Sequence, residues 1–183
     1  MFMSLHPTPL NGCVVLTPTI FPDHRGYFYE SYSKDDFNEV LGYEVNFVQD
    51  NESFSTKGTL RGLHFQKGNY TQAKLTRVVQ GTVLDVAVDL RENSPTYGAH
   101  FSIELSSENK KQLFIPRGFA HGFVVLSDTA IFSYKCDNYY HKDSESGIIY
   151  NDPTLNIDWK LPNDQLQLSK KDLELPRFKL LEL

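Results

Sequence analysis

The sequence predicts an all-β fold, either a closed antiparallel barrel or a double-sheet jelly roll. Three observations predict it. Short stretches of alternating apolar and polar residues recur along the chain. Gly, Pro, Asn and Asp punctuate them at short intervals. Helical periodicity is confined to one or two brief segments. No internal repeat, low-complexity stretch or linker interrupts the pattern, so residues 1–183 read as one domain with an N-terminal strand arm and an irregular C-terminal segment.

The elements follow in order. Residues 12–17 form a first strand, 21–26 (FPDHRG) a turn, and 27–32 an aromatic-rich strand. Ser33 reads as the N-cap of a short helix. Asp35 and Asp36 lie in its first turn, Phe37, Val40 and Leu41 on one face, and Gly42 at its end. Residues 45–54 are extended and carry Gln49, Asp50 and Asn51 in a row. Strands are expected at 60–66, 73–80, 82–90, 100–105, 113–115, 119–126 and 130–136. The stretch 82–90 (TVLDVAVDL) is apolar on both faces and reads as buried on both sides. From Gly147 the chain is irregular, with Trp159 as an anchor and Ser169 as the cap of a last short helix containing Lys171 and Asp172. That makes about ten strands, enough to close a barrel around a ligand.

Composition narrows the function. A 40% hydrophobic content supports a real core. The net charge of −5 argues against nucleic acid or an anionic membrane as partner. No apolar run approaches the length of a membrane span, and the N-terminal MFMSLHPTPL lacks the pattern of a signal peptide. Cys13 and Cys136 stand far apart with no CxxC, so a reducing cytoplasm is the expected compartment.

The stretch 59–74 (TLRGLHFQKGNYTQAK) gathers Arg61, His64 and Lys74 and reads as strand, turn, strand. Strict alternation puts Leu60, Gly62, His64 and Gln66 on one face and Arg61, Leu63 and Phe65 on the other. A bulge at Gly62 would turn Arg61 and His64 toward one cavity, with Lys74 opposite. The competing reading is a histidine hydrogen-bonded within a barrel wall. Tyr134 shares an inward face with Ala130, Phe132 and Cys136. It is either a core tyrosine with a satisfied hydroxyl or a proton donor projecting into the cavity. His121, in IPRGFAHGF, sits early on a strand after a tight turn, as metal-binding histidines of jelly rolls do. A metal needs three or four converging ligands, and there is no HxH pair, so no metal is expected. Arg25, Arg61, Lys74 and Lys171 suit a phosphorylated ligand, against the ordinary reading of solvated surface charge.

FPDHRGYFYESY, FVQDNESFS, TLRGLHFQ, AKLTRVVQGTVLDVAVDLR, SPTYG, LFIPRGFAHGF, YKCDNYY and NDP…IDW, in this order, resemble the dTDP-4-dehydrorhamnose 3,5-epimerase family over nearly the whole chain. The resemblance implies a cupin-type jelly roll, a homodimer, and neither metal nor cofactor. It implies inversion of C3 and C5 of dTDP-4-dehydro-6-deoxy-glucose on the route to dTDP-rhamnose. His64 then matches the base, Tyr134 the acid on the opposite face, Asp172 the carboxylate that orients His64, and Lys74 the cation near the C4 oxygen. Arg61 and His121 match the sugar-diphosphate site, and Tyr140 the ring that stacks on thymine, with Tyr139 as its competitor. Arg25, Glu30, Gln49, Asp50 and Asn51 match substrate contacts, some across the dimer. Glu145 and Lys171 match outer binding positions, with Lys170 competing for the latter. Tyr150 departs from the family, standing where tryptophan is expected before NDP. The same residues also fit two rivals: an epimerase that inverts one carbon or uses another nucleotide sugar, and a non-catalytic sugar-nucleotide-binding jelly roll.

Overall fold

The computed structural model describes residues 3–181. In chain order its strands are β1 (Met3–Pro7), β2 (Val14–Pro18), β3 (Phe21–Asp23), β4 (Gly26–Phe28), β5 (Gln49–Thr56), β6 (Leu60–Gln66), β7 (Lys74–Gln80), β8 (Thr82–Asp89), β9 (His100–Ser106), β10 (Gln112–Ile115), β11 (Phe119–Val125), β12 (Thr129–Cys136) and β13 (Glu145–Gly147). Two α-helices complete it, α1 (Lys34–Leu41) and α2 (Lys170–Leu173). One sheet has six strands in the order β1-β2-β10-β7-β12-β5, and the other five in the order β13-β6-β11-β8-β9. This is the double-sheet all-β architecture expected from the alternation of short strands.

Three apolar layers hold the sheets. Between them lie Val83, Ala87, Leu105, Leu113, Phe119, Phe123 and Phe132. Outside the five-stranded sheet, Leu84, Val86 and Val88 pack under Ile148, Leu155 and Trp159 of the C-terminal segment. That is why β8 is apolar on both faces: each face has its own core. Outside the six-stranded sheet, Leu16, Leu75 and Phe114 meet Phe37 of α1. Tyr32 and Phe47 ring Phe37 at centroid distances of 5.7 and 5.4 Å. Trp159 donates its indole N–H to the carbonyl of Tyr150 at 2.9 Å, so the departure at Tyr150 leaves this anchor in place through the backbone.

Several local expectations change. The stretch 21–26 is a strand–turn–strand hairpin rather than a turn alone. Asp23 closes it by accepting from the Arg25 backbone N–H and guanidinium at 2.8 and 2.6 Å. The strand expected at 27–32 ends at Phe28, because Tyr29 leaves the hairpin and its hydroxyl meets the Arg77 guanidinium. The strand expected at 12–17 starts at Val14, and 45–54 pairs only from Gln49. Ser33 occupies the N-cap of α1 but makes no side-chain capping bond, while Gly42 ends the helix at φ 78°. β13 was not anticipated. β1 lies at a sheet edge, where a proline such as Pro7 is tolerated. No helix among the described residues is long and apolar enough to cross a membrane.

The most consequential difference concerns 59–74. β6 and β7 are not a hairpin: they lie in different sheets and face one another across the interior. Lys74 is opposite His64 because it belongs to the other wall.

Candidate active site

A cavity of about 900 Å³ opens between the sheets. Its five-stranded wall carries Arg61 and His64 on β6 and His121 on β11. Its six-stranded wall carries Gln49 and Asn51 on β5, Lys74 on β7 and Tyr134 on β12. Tyr140, Glu145, Lys171 and Asp172 close one side.

The bulge at Gly62 builds the first wall. His121 pairs with His64 and Phe123 with Arg61, so three steps on β6 match two on β11. Strict alternation therefore fails between residues 60 and 63. Leu60, Leu63 and Phe65 join the outer core, while Arg61 and His64 both line the cavity. Two glycines allow this. Gly62 has φ 131°, and a Cβ there would stand 2.5 Å from the Gly122 Cα. A Cβ on Gly122 would meet the Arg61 carbonyl at 2.8 Å.

His64 Nε2 lies 2.7 Å from Asp172 Oδ1. A carboxylate only accepts, so Nε2 carries the hydrogen and Nδ1 keeps the basic lone pair. Asp172 is brought from the far end of the chain by α2, whose cap Ser169 accepts from the Asp172 backbone N–H at 3.1 Å. Burial of Asp172 opposes its ionisation. The bond from His64, together with those from Ser169 and the Gly62 N–H, outweighs that and holds its carboxyl below the usual range.

On the facing wall, burial pushes the Lys74 ammonium below the usual lysine range, with weaker opposition from the electrostatic pull of Cys136, Asp85 and Glu145. Its Nζ lies 5.8 Å from the Tyr134 ring centroid. Burial pushes the Tyr134 phenol up, so it holds its proton well into the alkaline range. Burial likewise pushes the Cys136 thiol, beside them, up to about 11. A desolvated cation and a protonated phenol on one wall, facing an oriented imidazole on the other, can stabilise an oxyanion and move protons on both faces of a bound ring.

A second His–Asp pair sits deeper. His121 Nε2 is 2.6 Å from Asp85 Oδ1, and the other Asp85 oxygen accepts from Thr76 at 2.6 Å. Both side chains of the pair are buried. Burial holds His121 below the usual histidine range, against the opposing pull of Asp85. Asp85 was missed by the sequence reading. Its signal was there, as a lone carboxylate in the middle of an otherwise apolar strand. Ser53 was missed too: its hydroxyl lines the cavity, buried and without a hydrogen-bond partner among the described residues.

The remaining expected residues divide. Gln49 Nε2 donates to Asn51 Oδ1 at 2.9 Å, and both face inward. Asp50, between them, sits at the cavity edge and turns its carboxylate to Lys135 at 2.8 Å, as strand alternation requires. Arg61 donates to Ser55 at 3.2 Å. Tyr140 rather than Tyr139, and Lys171 rather than Lys170, line the cavity, and both bind Glu145. Burial opposes ionisation of Glu145, but these two bonds hold it below the usual range. Arg25 and Glu30 are not brought to this cavity. Arg25 is exposed on the β3–β4 hairpin and paired with Asp23. Among the described residues no three His, Cys, Asp or Glu side chains converge as a metal-ligand set.

A search of family models matches residues 7–179 to dTDP-4-dehydrorhamnose 3,5-epimerase. The chain belongs to the dTDP-4-dehydrorhamnose 3,5-epimerase family. It is 51% identical to the Escherichia coli (strain K12) enzyme of that name over 94% of this chain and 93% of the relative. The crystal structure of dTDP-4-dehydrorhamnose 3,5-epimerase from Elizabethkingia anophelis superimposes with a TM-score of 0.94 at 56% identity, covering 98% of each chain. That of the Legionella pneumophila dTDP-6-deoxy-D-glucose-3,5-epimerase, in complex with dTDP-4-keto-L-rhamnose, also gives 0.94, at 49% identity over 98% of this chain and 95% of that one. As a 3,5-epimerase family member with this cupin-type jelly roll, the chain is an isomerase.

Proposed function

We propose that this chain, acting as one domain over 1–183, inverts C3 and C5 of dTDP-4-dehydro-6-deoxy-D-glucose to give dTDP-4-dehydro-L-rhamnose. The C4 ketone acidifies both neighbouring C–H bonds, because the electrons left behind delocalise onto O4. His64 takes the proton from one face, with Asp172 holding the ring and stabilising the imidazolium. Lys74 neutralises the enolate oxygen. Tyr134 returns a proton to the opposite face, which inverts the carbon. Ketonisation and a second cycle at the other carbon complete the reaction. No metal or redox cofactor enters these steps.

The observation that carries this reading is the opposition of the His64–Asp172 pair and Tyr134 on facing walls of one cavity. A binding module has no use for a base and an acid so arranged. Arg61 and His121 meet the diphosphate and Tyr140 the thymine. Gln49, Asn51, Glu145 and Lys171 complete the pocket.

The working unit is a homodimer. Phe54 on the outer face of the edge strand β5 is 62% exposed, and Tyr27 and Phe28 on the hairpin are 57% and 66% exposed. A second copy covering these would also give Arg25 and Glu30 a substrate to meet. Cytoplasmic residence fits the two buried, free cysteines.

The test is proton NMR with dTDP-4-dehydro-6-deoxy-glucose in deuterated water. Deuterium entering at both C3 and C5 is expected. Entry at one carbon alone would make this a mono-epimerase. Entry at neither, with tight dTDP binding, would overturn the assignment.

A further inference from the structure

Helix α2 has four residues, and two adjacent ones point to different tasks. Asp172 is buried against His64. Lys171 reaches the cavity rim and pairs with Glu145 Oε2 at 2.5 Å. The same oxygen accepts from the Tyr140 hydroxyl at 2.8 Å. Apart from the His64–Asp172 pair itself, Lys171–Glu145 is the only ionic tie from α2 to the sheets among the described residues. Glu145 is joined to the base by a second route as well. It opens β13, whose ladder sets Glu145 beside Gln66 and Gly147 beside His64. A helix this short cannot hold its own place, since its internal bonds barely repay nucleation.

We propose that Glu145 is a positioning residue for the epimerase reaction. Its carboxylate joins the Tyr140 ring at the cavity mouth to Lys171, and through α2 it seats Asp172 against His64. Binding at the mouth and orientation of the base are thereby set by one side chain. The proposal rests on the reading of His64 as the base.

A field effect must be separated from positioning. The ionisable groups that line the cavity with His64 are Arg61 on its own strand, Asp172 and Lys171 on α2, Glu145 on β13, Tyr140 at the mouth, His121 on β11, and Asp50, Glu52, Lys74, Tyr134 and Cys136 on the other wall. Neutralising Glu145 leaves this surrounding more positive, and neutralising Lys171 leaves it more negative. Direct electrostatics would therefore move the acid limb of the rate profile down in Glu145→Gln and up in Lys171→Met. Loss of positioning lowers the pH-independent kcat in both.

The experiment is a double-mutant cycle of Glu145→Gln and Lys171→Met, with kcat measured across pH and dTDP affinity measured by calorimetry. Each single variant is expected to lose about tenfold in plateau kcat. The double variant should lose no more than the worse single, because both break one connection. Plateaus left unchanged with limbs moved in opposite directions would overturn the proposal. So would a double loss equal to the product of the two singles, or a change confined to KM and dTDP affinity. His64→Ala serves as the control. If that variant still exchanges substrate protons at the normal rate, the assignment of the base has failed. If it is inactive and the cycle is additive, only the role of Glu145 has failed.

Discussion

The two His–Asp pairs of this molecule share a contact and differ in everything around it. His121–Asp85 lies wholly within the five-stranded sheet, on neighbouring strands, with both side chains buried. His64–Asp172 joins β6 to a helix 108 residues away, and the His64 side chain keeps 29% of its surface exposed. The distances, 2.6 and 2.7 Å, do not tell them apart. Access does. A proton carrier must reach substrate in one state and be re-protonated in the next, which the outer pair allows. The inner pair is suited to holding a wall in place.

The comparison is most sharply tested by removing the charge from each carboxylate. Asp172→Asn is expected to lower kcat by about a hundredfold or more, because the imidazole loses its orientation and its counter-charge. Its cost in stability is expected to be about 1 kcal/mol or less, because its partner His64 stays partly open to water. Asp85→Asn should reverse that order. It is expected to cost about 2–3 kcal/mol, since a buried charge-assisted network loses its charge, with the smaller loss of kcat. Urea melts and steady-state rates on both variants would settle it. Equal profiles would erase the distinction.

A smaller effect sharpens the facing wall. Burial lowers Lys74 and raises Tyr134. The active forms are charged Lys74 and neutral Tyr134, and both are lost as pH rises. With Lys74 lowered, its proton leaves first, so the alkaline limb of kcat/KM belongs to Lys74. Lys74→Arg, which keeps its charge at any accessible pH, should reduce the rate but carry that limb upward. A limb that stays in place would assign it to another group.

Much of this was legible in the chain. Strand 60–66 falls at β6 without adjustment, and 130–136 differs from β12 by one residue. Both are short runs bounded by clear turn signals. His64, Lys74 and Tyr134 were singled out by residue type, and one cavity collects them. The bulge expected at Gly62 is there, and it carries Arg61 and His64 to one cavity. Gly122 on the neighbouring strand was not read with it. The separation of β6 from β7 into different sheets was invisible too, because a Gly/Asn turn looks the same in a hairpin and in a crossover between sheets. Asp85 was passed over because its strand was read for burial, when a buried carboxylate needed a partner. Glu30 came only from family resemblance, and Arg25 from its charge as well, and neither lines the cavity of a single chain.

The most direct test of the account follows solvent deuterium into C3 and C5 of the substrate, with His64→Ala and His121→Asn compared side by side at saturating concentration. The account predicts that His64→Ala incorporates deuterium at neither carbon, while His121→Asn incorporates it at both, more slowly than the parent. Incorporation by His64→Ala at the parent rate, or its complete loss in a folded His121→Asn, would contradict the assignment of the outer pair as the one that moves the proton.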